Sequence, residues 1–315
     1  MSKKPFINPH LHNARRTLWD VLLWRLGYYD DPLPHPKRPS SFIYPMPSAS
    51  VDVRAPLATW INHSTFLVQI DGKNFLTDPI WSEACFPVRC VAPQRRHAPP
   101  MSLEQLPQIH YVLISHNHYD HLDRSTVMKL HQLFPDICWL VPTGVKNWFT
   151  KLGIKRVKEL GWWDKAQDGD FTFTAVPAQH FSGRSLKDTN RTLWAGWVVE
   201  HKAGKRFYFV GDTGYNPVDF KKIGEKWGGM DLSLIPIGSY SPRKFMSPVH
   251  VDPNDAVRIH REVGSKLSVA IHWKTFRLSD EPPLQPPYDL YLALQEQGID
   301  PLTFLASEPG HAINW

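Results

Sequence analysis

From Leu57 onward, the apolar positions fall in short runs separated by turns, a pattern typical of strands. The first runs predict a meander whose tight turn is Asp71-Gly72, with strands over Ala58–Ile61, Thr65–Ile70 and Asn74–Thr77. Further strands are predicted over Tyr111–Ile114, Cys138–Pro142, Phe171–Val176, Trp194–Glu200, Arg206–Val210, Leu232–Ile237 and Leu267–Ile271. Helical periodicity predicts helices over Ser125–Leu133, Thr143–Leu152, Pro253–Val263 and Tyr288–Gln297. A first group of strands is followed by strands with helices between them. This order predicts sheets covered by helices in layers.

Residues 1–50 have a different pattern, with eight prolines and a single predicted helix over Ala14–Gly27. No break in composition divides residues 51–315. We therefore predict a proline-rich basic leader over 1–50 and one larger domain over 51–315. Trp and Arg on the short helix suit a membrane interface, so residues 14–27 are a candidate membrane contact. Packing of this helix on the core is the alternative that we favour.

The composition of the chain excludes several classes of protein. A 42% hydrophobic content with 13 Trp and 16 Phe supports a large core and excludes disorder and coiled coil. No apolar run reaches the roughly 18 residues of a membrane span, and Met1–Arg16 lacks the apolar stretch of a signal peptide. Three cysteines, an odd number, favour reduced thiols. We expect a cytoplasmic protein, with membrane association left open.

The charge is unevenly distributed along the chain. The net charge is +6, and residues 1–50 contribute +4 of it, from seven basic and three acidic residues. A basic leader suggests an anionic surface, either phospholipid or nucleic acid. A solvated tail is the alternative. Nucleic acid is disfavoured because there is no basic, aromatic-interleaved stretch and no separate RNA-binding module.

The strongest chemical signal is a histidine-rich loop directly after the predicted strand Tyr111–Ile114. It places His116, His118, Asp120 and His121 within six positions. Imidazole and carboxylate groups together suit a borderline divalent ion such as zinc. The loop is too short for all four groups to reach one ion comfortably. We therefore expect His116 and His118 at one metal ion, and Asp120 and His121 at a second.

Three further candidate ligands each follow a predicted strand. His180 follows Phe171–Val176, and Asp212 and His272 follow later strands in the same way. Polar groups at the ends of buried strands project from one edge of a sheet and form a rigid site. A lone histidine after a strand is usually structural, but three such residues beside the histidine-rich loop predict a completed ligand set.

This pattern of His-x-His-x-Asp-His, followed by a distant His, Asp and His, resembles the metallo-β-lactamase fold superfamily. The resemblance implies an α/β fold, a four-layer αβ/βα sandwich with a binuclear metal site at one edge of the sheets. It assigns one metal ion to His116, His118 and His180, and the other to Asp120, His121 and His272. Asp212 would bridge both ions.

Other segments narrow the resemblance to the N-acylphosphatidylethanolamine-hydrolysing phospholipase D branch and its bacterial relatives. These segments are Thr59–Thr65, Leu76–Ile80, Ile114–Asp123, Phe209–Tyr215, Ile235–Gly238, His250–Pro253 and Ala270–Trp273. The similarity runs from about residue 56 to residue 306. Asn62 departs from the glycine usual in this branch, and residues 82–100, near the expected substrate entrance, match it poorly.

The resemblance implies a phosphodiesterase that cleaves N-acylphosphatidylethanolamine-like lipids to N-acylethanolamine and phosphatidic acid. Two divalent ions, zinc first and Mn or Fe as alternatives, would share a hydroxide that attacks phosphorus. Asp120 would also orient this hydroxide, and His250 would bind phosphate or protonate the leaving oxygen. The expected partner is a phospholipid or another phosphodiester, and a homodimer is left open.

Several residues around the ligands have weaker signals. Asp78 is a candidate to hold a ligand imidazole, with a turn role as the alternative. His63 and His250 are candidates to line the pocket, with structural roles as the alternative. Trp273 and Phe181 flank ligands and are candidate lipid contacts, although core packing explains aromatic residues at least as often. Arginines at positions 89, 95 and 96 are candidate phosphate contacts, or belong to a solvent-facing loop.

Two other functions remain open from the sequence. One is a lactonase or phosphodiesterase acting on small phosphorylated sugars or nucleotides at the same metal site. The other is a non-catalytic, metal-bearing protein associated with membranes. The basic, Trp-bearing helix favours a lipid substrate, and the complete set of ligand positions favours catalysis.

Overall fold

The computed structural model of the 315-residue chain describes residues 4–11, 18–47, 51–88, 92–185 and 187–315. Its strands form two seven-stranded sheets. In the first sheet, the order is β14, β1, β2, β3, β4, β5, β6. The strands of this sheet are β1 (Leu57–Asn62), β2 (Thr65–Ile70), β3 (Lys73–Thr77), β4 (Tyr111–Leu113), β5 (Cys138–Pro142), β6 (Val157–Leu160) and β14 (Ala312–Asn314).

The second sheet has the order β13, β12, β11, β10, β9, β8, β7. Its strands are β7 (Lys165–Asp168), β8 (Phe171–Val176), β9 (Gly196–His201), β10 (Arg206–Phe209), β11 (Met230–Pro236), β12 (Ser265–Ile271) and β13 (Phe304–Leu305). Both sheets combine an antiparallel part with a parallel part. Strands β3 to β6 pair in parallel, as do β10 to β13. Parallel neighbours present their carboxyl ends at the same edge of the sheet.

Helices cover the outer faces of the two sheets. The helices are α1 (Leu18–Arg25), α2 (Arg124–Leu133), α3 (Lys146–Thr150), α4 (Asp219–Trp227), α5 (Arg243–Met246), α6 (Pro253–Glu262) and α7 (Pro286–Glu296). The apolar faces of α2 and α3 belong to a core on one side of the first sheet, through Val127, Leu130 and Phe149. Helices α4, α6 and α7 pack with the second sheet. The sequence also predicts the start of α6, where Asp252 accepts from the Asp255 amide and Pro253 is the first residue.

Large aromatic side chains fill the space between the sheets. Trp60 and Phe75 from the first sheet, and Trp197 and Phe207 from the second, are almost completely buried in one cluster. The layers are therefore helix, sheet, sheet and helix, which confirms the predicted four-layer αβ/βα sandwich. Among the described residues, no helix is long and apolar enough to cross a bilayer.

The leader packs along the larger domain. The described part of the predicted helix Ala14–Gly27 is α1, and residues 14–17 lie outside the described residues. Trp24 Nε1 donates to Asp280 Oδ2 at 2.7 Å, and its ring stacks on Phe245 at 5.0 Å. Farther along the leader, the Tyr44 hydroxyl donates to the Phe304 carbonyl at 2.5 Å. Helix α1 thus docks through one tryptophan, as the core-packing alternative requires.

The hydrophobic pattern of the sequence does not predict some of the strands and helices. Strands β6 and β7 lie at sheet edges, and their sequences VKEL and KAQD lack a run of apolar residues. Helix α4 has a polar sequence in which only a narrow stripe, including Phe220 and Ile223, is buried. Edge strands and surface helices need little apolar surface, so hydrophobic runs do not reveal them.

Candidate metal centre

The seven predicted ligands come together at one edge of the sandwich. The loop Ser115–His121 follows β4 of the first sheet, while His180, Asp212 and His272 follow β8, β10 and β12 of the second. Most of these side chains are almost completely buried, and Asp120 keeps 15% of its side chain exposed. The ends of strands from both sheets therefore build a single site.

The first cluster consists of His116, His118 and His180. His116 Nε2 lies 2.7 Å from His118 Nδ1, and His118 Nδ1 lies 3.3 Å from His180 Nε2. The other ring nitrogen of His180 lies 2.9 Å from the Val249 carbonyl, so this ring is oriented from behind. Burial and His180 lower the pKa of His118 to about 3, which keeps that imidazole neutral. Three nitrogens thus converge on one point.

The second cluster consists of Asp120, His121 and His272. Asp120 Oδ2 lies 3.2 Å from His121 Nε2 and 3.7 Å from His272 Nε2. Asp212 stands between the clusters: its Oδ2 lies 3.0 Å from His272 Nε2, 3.2 Å from His121 Nε2 and 3.8 Å from His180 Nε2. One carboxylate therefore faces both clusters.

Unsatisfied polar atoms show that this donor set suits metal ions. His121 Nε2, His272 Nε2 and Asp212 Oδ1 are buried and make no hydrogen bond of acceptable geometry, although buried polar atoms normally make one. Burial by itself lowers the pKa of His272, but Asp212 and Asp120 outweigh burial and raise it to about 9. The carboxylates therefore attract positive charge, and the nitrogen and oxygen donors are those that zinc uses.

Asp78 links the two clusters through hydrogen bonds to ring nitrogens that do not face the other ligands. Its Oδ2 accepts from His121 Nδ1 at 2.7 Å and from the Ser115 hydroxyl at 2.5 Å. Ser115 Oγ in turn lies 2.8 Å from His116 Nδ1, and the Ser115 amide donates to Asp78 Oδ1 at 2.7 Å. One fully buried carboxylate thus orients an imidazole in each cluster, directly in one case and through a hydroxyl in the other. The sequence predicts a role for Asp78 but gives no signal for Ser115.

Gly211 is another residue that the sequence analysis missed. It immediately precedes Asp212 and has a φ of +67°, a conformation that favours glycine. A Cβ at this position would lie 2.7 Å from the Cβ of Ser115. The end of β10 can approach the histidine-rich loop only because this side chain is absent. A glycine next to a candidate ligand is the signal that could have revealed it.

His63 and His250 border the clusters. His63 Nε2 lies 3.0 Å from Asp120 Oδ2, and the His63 amide donates to Thr275 Oγ1 at 2.7 Å. His250 Nδ1 lies 3.9 Å from Asp212 Oδ2 and has no hydrogen-bond partner. Arg243 Nη1 donates to the His250 carbonyl at 2.9 Å and holds this residue in place. Both histidines therefore lie beside the carboxylates rather than elsewhere in the core.

The remaining candidates lie in different surroundings. Trp273 is only 4% exposed and stacks on Trp60 with the ring centroids 5.1 Å apart, as the core-packing alternative predicts. Phe181 is 37% exposed, and its ring lies 4.5 Å from that of His118. Arg95 is buried and donates to the carbonyls of Ser82 and Ile80, so the alternative of a solvent-facing side chain is wrong for this residue. The Arg96 side chain is exposed, and residue 89 lies outside the described residues.

A helix–sheet–sheet–helix sandwich with histidines and aspartates at the shared edge of its sheets defines the metallo-β-lactamase class of fold. The sequence profile of the β-lactamase superfamily domain matches residues 73–273. The chain belongs to this superfamily.

Several known proteins are similar to this chain. An N-acyl-phosphatidylethanolamine-hydrolyzing phospholipase D of Caenorhabditis elegans is 43% identical over 228 residues, which cover 70% of this chain and 64% of that protein. An uncharacterized Mycobacterium tuberculosis protein is 42% identical over 266 residues, or 81% of this chain and 68% of that protein. The isothiocyanate hydrolase structure from Delia radicum gut bacteria aligns with a TM-score of 0.63 at 20% identity, over 82% of this chain and 99% of that one. That structure supports the fold alone.

Proposed function

We propose that this chain is a metal-dependent phosphodiesterase of the phospholipase D type. Its substrates would be N-acylphosphatidylethanolamine-like lipids, and its products N-acylethanolamine and phosphatidic acid. The observation that carries the proposal is the pair of donor clusters joined by Asp212, whose Oδ2 lies within 3.8 Å of imidazoles from both. Similarity to the C. elegans phospholipase over 70% of the chain supports the choice of substrate.

In this proposal, each cluster holds one divalent ion, and zinc is the first choice over Mn and Fe. His116, His118 and His180 would hold one ion, Asp120, His121 and His272 the other, and Asp212 would contact both. Such ions, when bound, supply Lewis acidity and bring the pKa of a water toward about 7.

The surrounding residues would position these groups. Asp78 would keep His121 turned toward its ion directly, through the 2.7 Å contact to His121 Nδ1, and His116 through Ser115, whose Oγ lies 2.8 Å from His116 Nδ1. His63 Nε2, at 3.0 Å from Asp120 Oδ2, would fix the carboxylate that orients the attacking water. His250 has an unpartnered Nδ1 beside Asp212, and this nitrogen is available to a phosphate oxygen or to the leaving oxygen.

The leader would bring the site to a lipid surface. Helix α1 packs inward through Trp24, whereas Trp19 is 63% exposed and Leu26 is 72% exposed. Exposed Arg25 lies between these side chains along the chain. Exposed apolar groups beside a basic one suit the interface of an anionic membrane. In this proposal, the helix both packs on the domain and contacts the membrane, the two roles that the sequence left as alternatives.

A paired assay on full-length protein of known metal content tests the proposal. One substrate is N-acylphosphatidylethanolamine in micelles, and the other is a soluble chromogenic phosphodiester. We expect release of N-acylethanolamine that is lost on chelation and restored by zinc. Turnover of the soluble diester alone would overturn the lipid assignment, and no turnover of either substrate by metal-loaded protein would favour a non-catalytic role.

A further inference from the structure

A cleft of about 300 Å³, which six apolar and four polar residues line among those described, lies directly beside the first cluster. The start of the leader forms one of its walls, with Phe6, Ile7 and Leu11. The body of the domain forms the other wall, and there Phe181 and Val249 adjoin His180. The leader therefore contributes to a cavity that neither part of the chain would form by itself.

The leader wall is anchored to a candidate ligand. Asn8 Nδ2 donates to the backbone carbonyl of His180 at 2.7 Å. The Phe6 amide donates to the Asn190 carbonyl at 2.8 Å, and His10 Nε2 lies 3.4 Å from Asp219 Oδ1. These contacts hold residues 4–11 across the edge of the sandwich at a defined place.

The chemistry of the lining selects one kind of ligand. None of the described residues that line the cleft is Lys, Arg, Asp or Glu, so away from His180 its walls carry no charged side chain that would neutralise a phosphate or an ammonium group. Phenylalanine, isoleucine, leucine and valine side chains provide apolar surface instead. The Phe181 ring lies 4.5 Å from that of His118 and 4.8 Å from that of His180, so the cleft runs up to the first cluster.

We propose that this cleft binds the N-acyl chain of the substrate, an inference that rests on the proposed function. Small-molecule pockets span roughly 300–1,000 Å³, and a cleft at the lower end suits one hydrocarbon chain better than two. Only the N-acyl side of the phosphodiester carries a single chain, whereas the glycerol side carries two. The leader then helps to determine the specificity for the length of the N-acyl chain.

Replacement of Thr189, an exposed residue of the cleft wall, tests this assignment. With metal-loaded, full-length protein, kcat/KM is measured for substrates whose N-acyl group ranges from acetyl to palmitoyl. For the unaltered chain, we expect an increase of about fourfold per methylene over the first additions, followed by a plateau when the cleft is full. Thr189→Trp should lower the palmitoyl-to-acetyl ratio of kcat/KM at least about tenfold.

Thr150→Trp is the matched control, because Thr150 is an exposed threonine on α3 that does not line the cleft. The control should leave the ratio unchanged. An unchanged ratio in Thr189→Trp would overturn the assignment. If Thr189→Trp alters instead the dependence on the length of the glycerol-borne chains, the cleft holds those chains, and the N-acyl assignment is wrong.

Photolabelling of the unaltered protein gives a second readout that does not require folding of a variant. The probe is an N-acylethanolamine with a diazirine at the end of its chain. We expect adducts within residues 5–11 or 181–190, and adducts confined to other segments would overturn the proposal. If the metal-loaded protein hydrolyses no N-acylphosphatidylethanolamine, the proposed function fails, and the labelled positions still decide whether the cleft binds an acyl chain.

Discussion

The donor clusters and the leader face lie at the same edge of the sandwich but are built differently. In the clusters, side chains such as His116 and His121 are buried and oriented by hydrogen bonds from behind. On the leader face, Ile7, Trp19 and Leu26 are more than 60% exposed, and side-chain hydrogen bonds from Asn8 and Trp24 hold the leader on the domain. This difference suggests that the strand ends determine the chemistry, whereas the leader determines which molecules reach it.

Removal of the shared carboxylate should have the largest effect. Asp212→Ala removes a carboxylate that faces both clusters, so both metal sites should weaken. Elemental analysis should find fewer than two ions per chain, and kcat/KM for a soluble phosphodiester should fall about a thousand-fold or more. Asp136→Ala, at an exposed aspartate, is the control. Retention of two ions by Asp212→Ala would show that the ligand assignment is wrong.

Loss of the Asp78 carboxylate should have the next largest effect. Asp78→Ala removes the acceptor for His121 and the end of the Ser115 relay to His116. We expect metal affinity, measured by competition with a chromogenic chelator, to fall roughly 10–100-fold at both sites. Ser115→Ala should weaken only the site formed by the first cluster. Equal losses at both sites in Ser115→Ala would contradict the relay.

Loss of the His63 imidazole should have a smaller effect, on activity rather than metal content. His63→Ala removes the contact to Asp120, so we expect kcat to fall about tenfold while two ions remain bound and KM changes little. His63→Gln, which can still donate to the carboxylate, should recover part of the loss. Loss of an ion in His63→Ala would show that the imidazole is itself a ligand.

The smallest effect should come from the leader face. Leu26→Ser removes an exposed apolar group, and the partition onto anionic vesicles, measured by sedimentation, should fall several-fold. Leu302→Ser is the matched control, since Leu302 is 42% exposed and precedes β13, at the end of the second sheet opposite the clusters. Equal binding by both variants and the unaltered chain would exclude a membrane role for the leader face. Turnover of the soluble diester checks that each variant is folded.

The sequence predicts the clusters well for a physical reason. Buried strands need continuous apolar runs, and the predicted bounds of Thr65–Ile70, Cys138–Pro142 and Phe171–Val176 coincide with β2, β5 and β8. The candidate ligands directly follow such runs or lie a few residues beyond them. Parallel strand ends share an edge, so the approximate meeting place of these residues could be inferred before the structure was known.

The supporting contacts could not be predicted in the same way, because they join residues that are distant in sequence. Ser115 meets Asp78 across 37 positions, and Asn8 reaches the carbonyl of His180 across 172. Neither pair leaves a local pattern of spacing. The docking of Trp24 on Phe245 likewise depends on where α5 lies, which the sequence of α1 cannot indicate.

The division of the candidate metal ligands between the two sheets has a consequence for the lifetime of the protein. The first sheet supplies the histidine-rich loop, and the second supplies His180, Asp212 and His272, so an unfolded chain offers no complete set. Ions that bind only the native state stabilise it in proportion to the logarithm of their concentration over Kd. Under the proposed ligand assignment, metal supply would therefore govern resistance to proteolysis as well as activity. Newly made chains would reach their full lifetime only after they acquire metal.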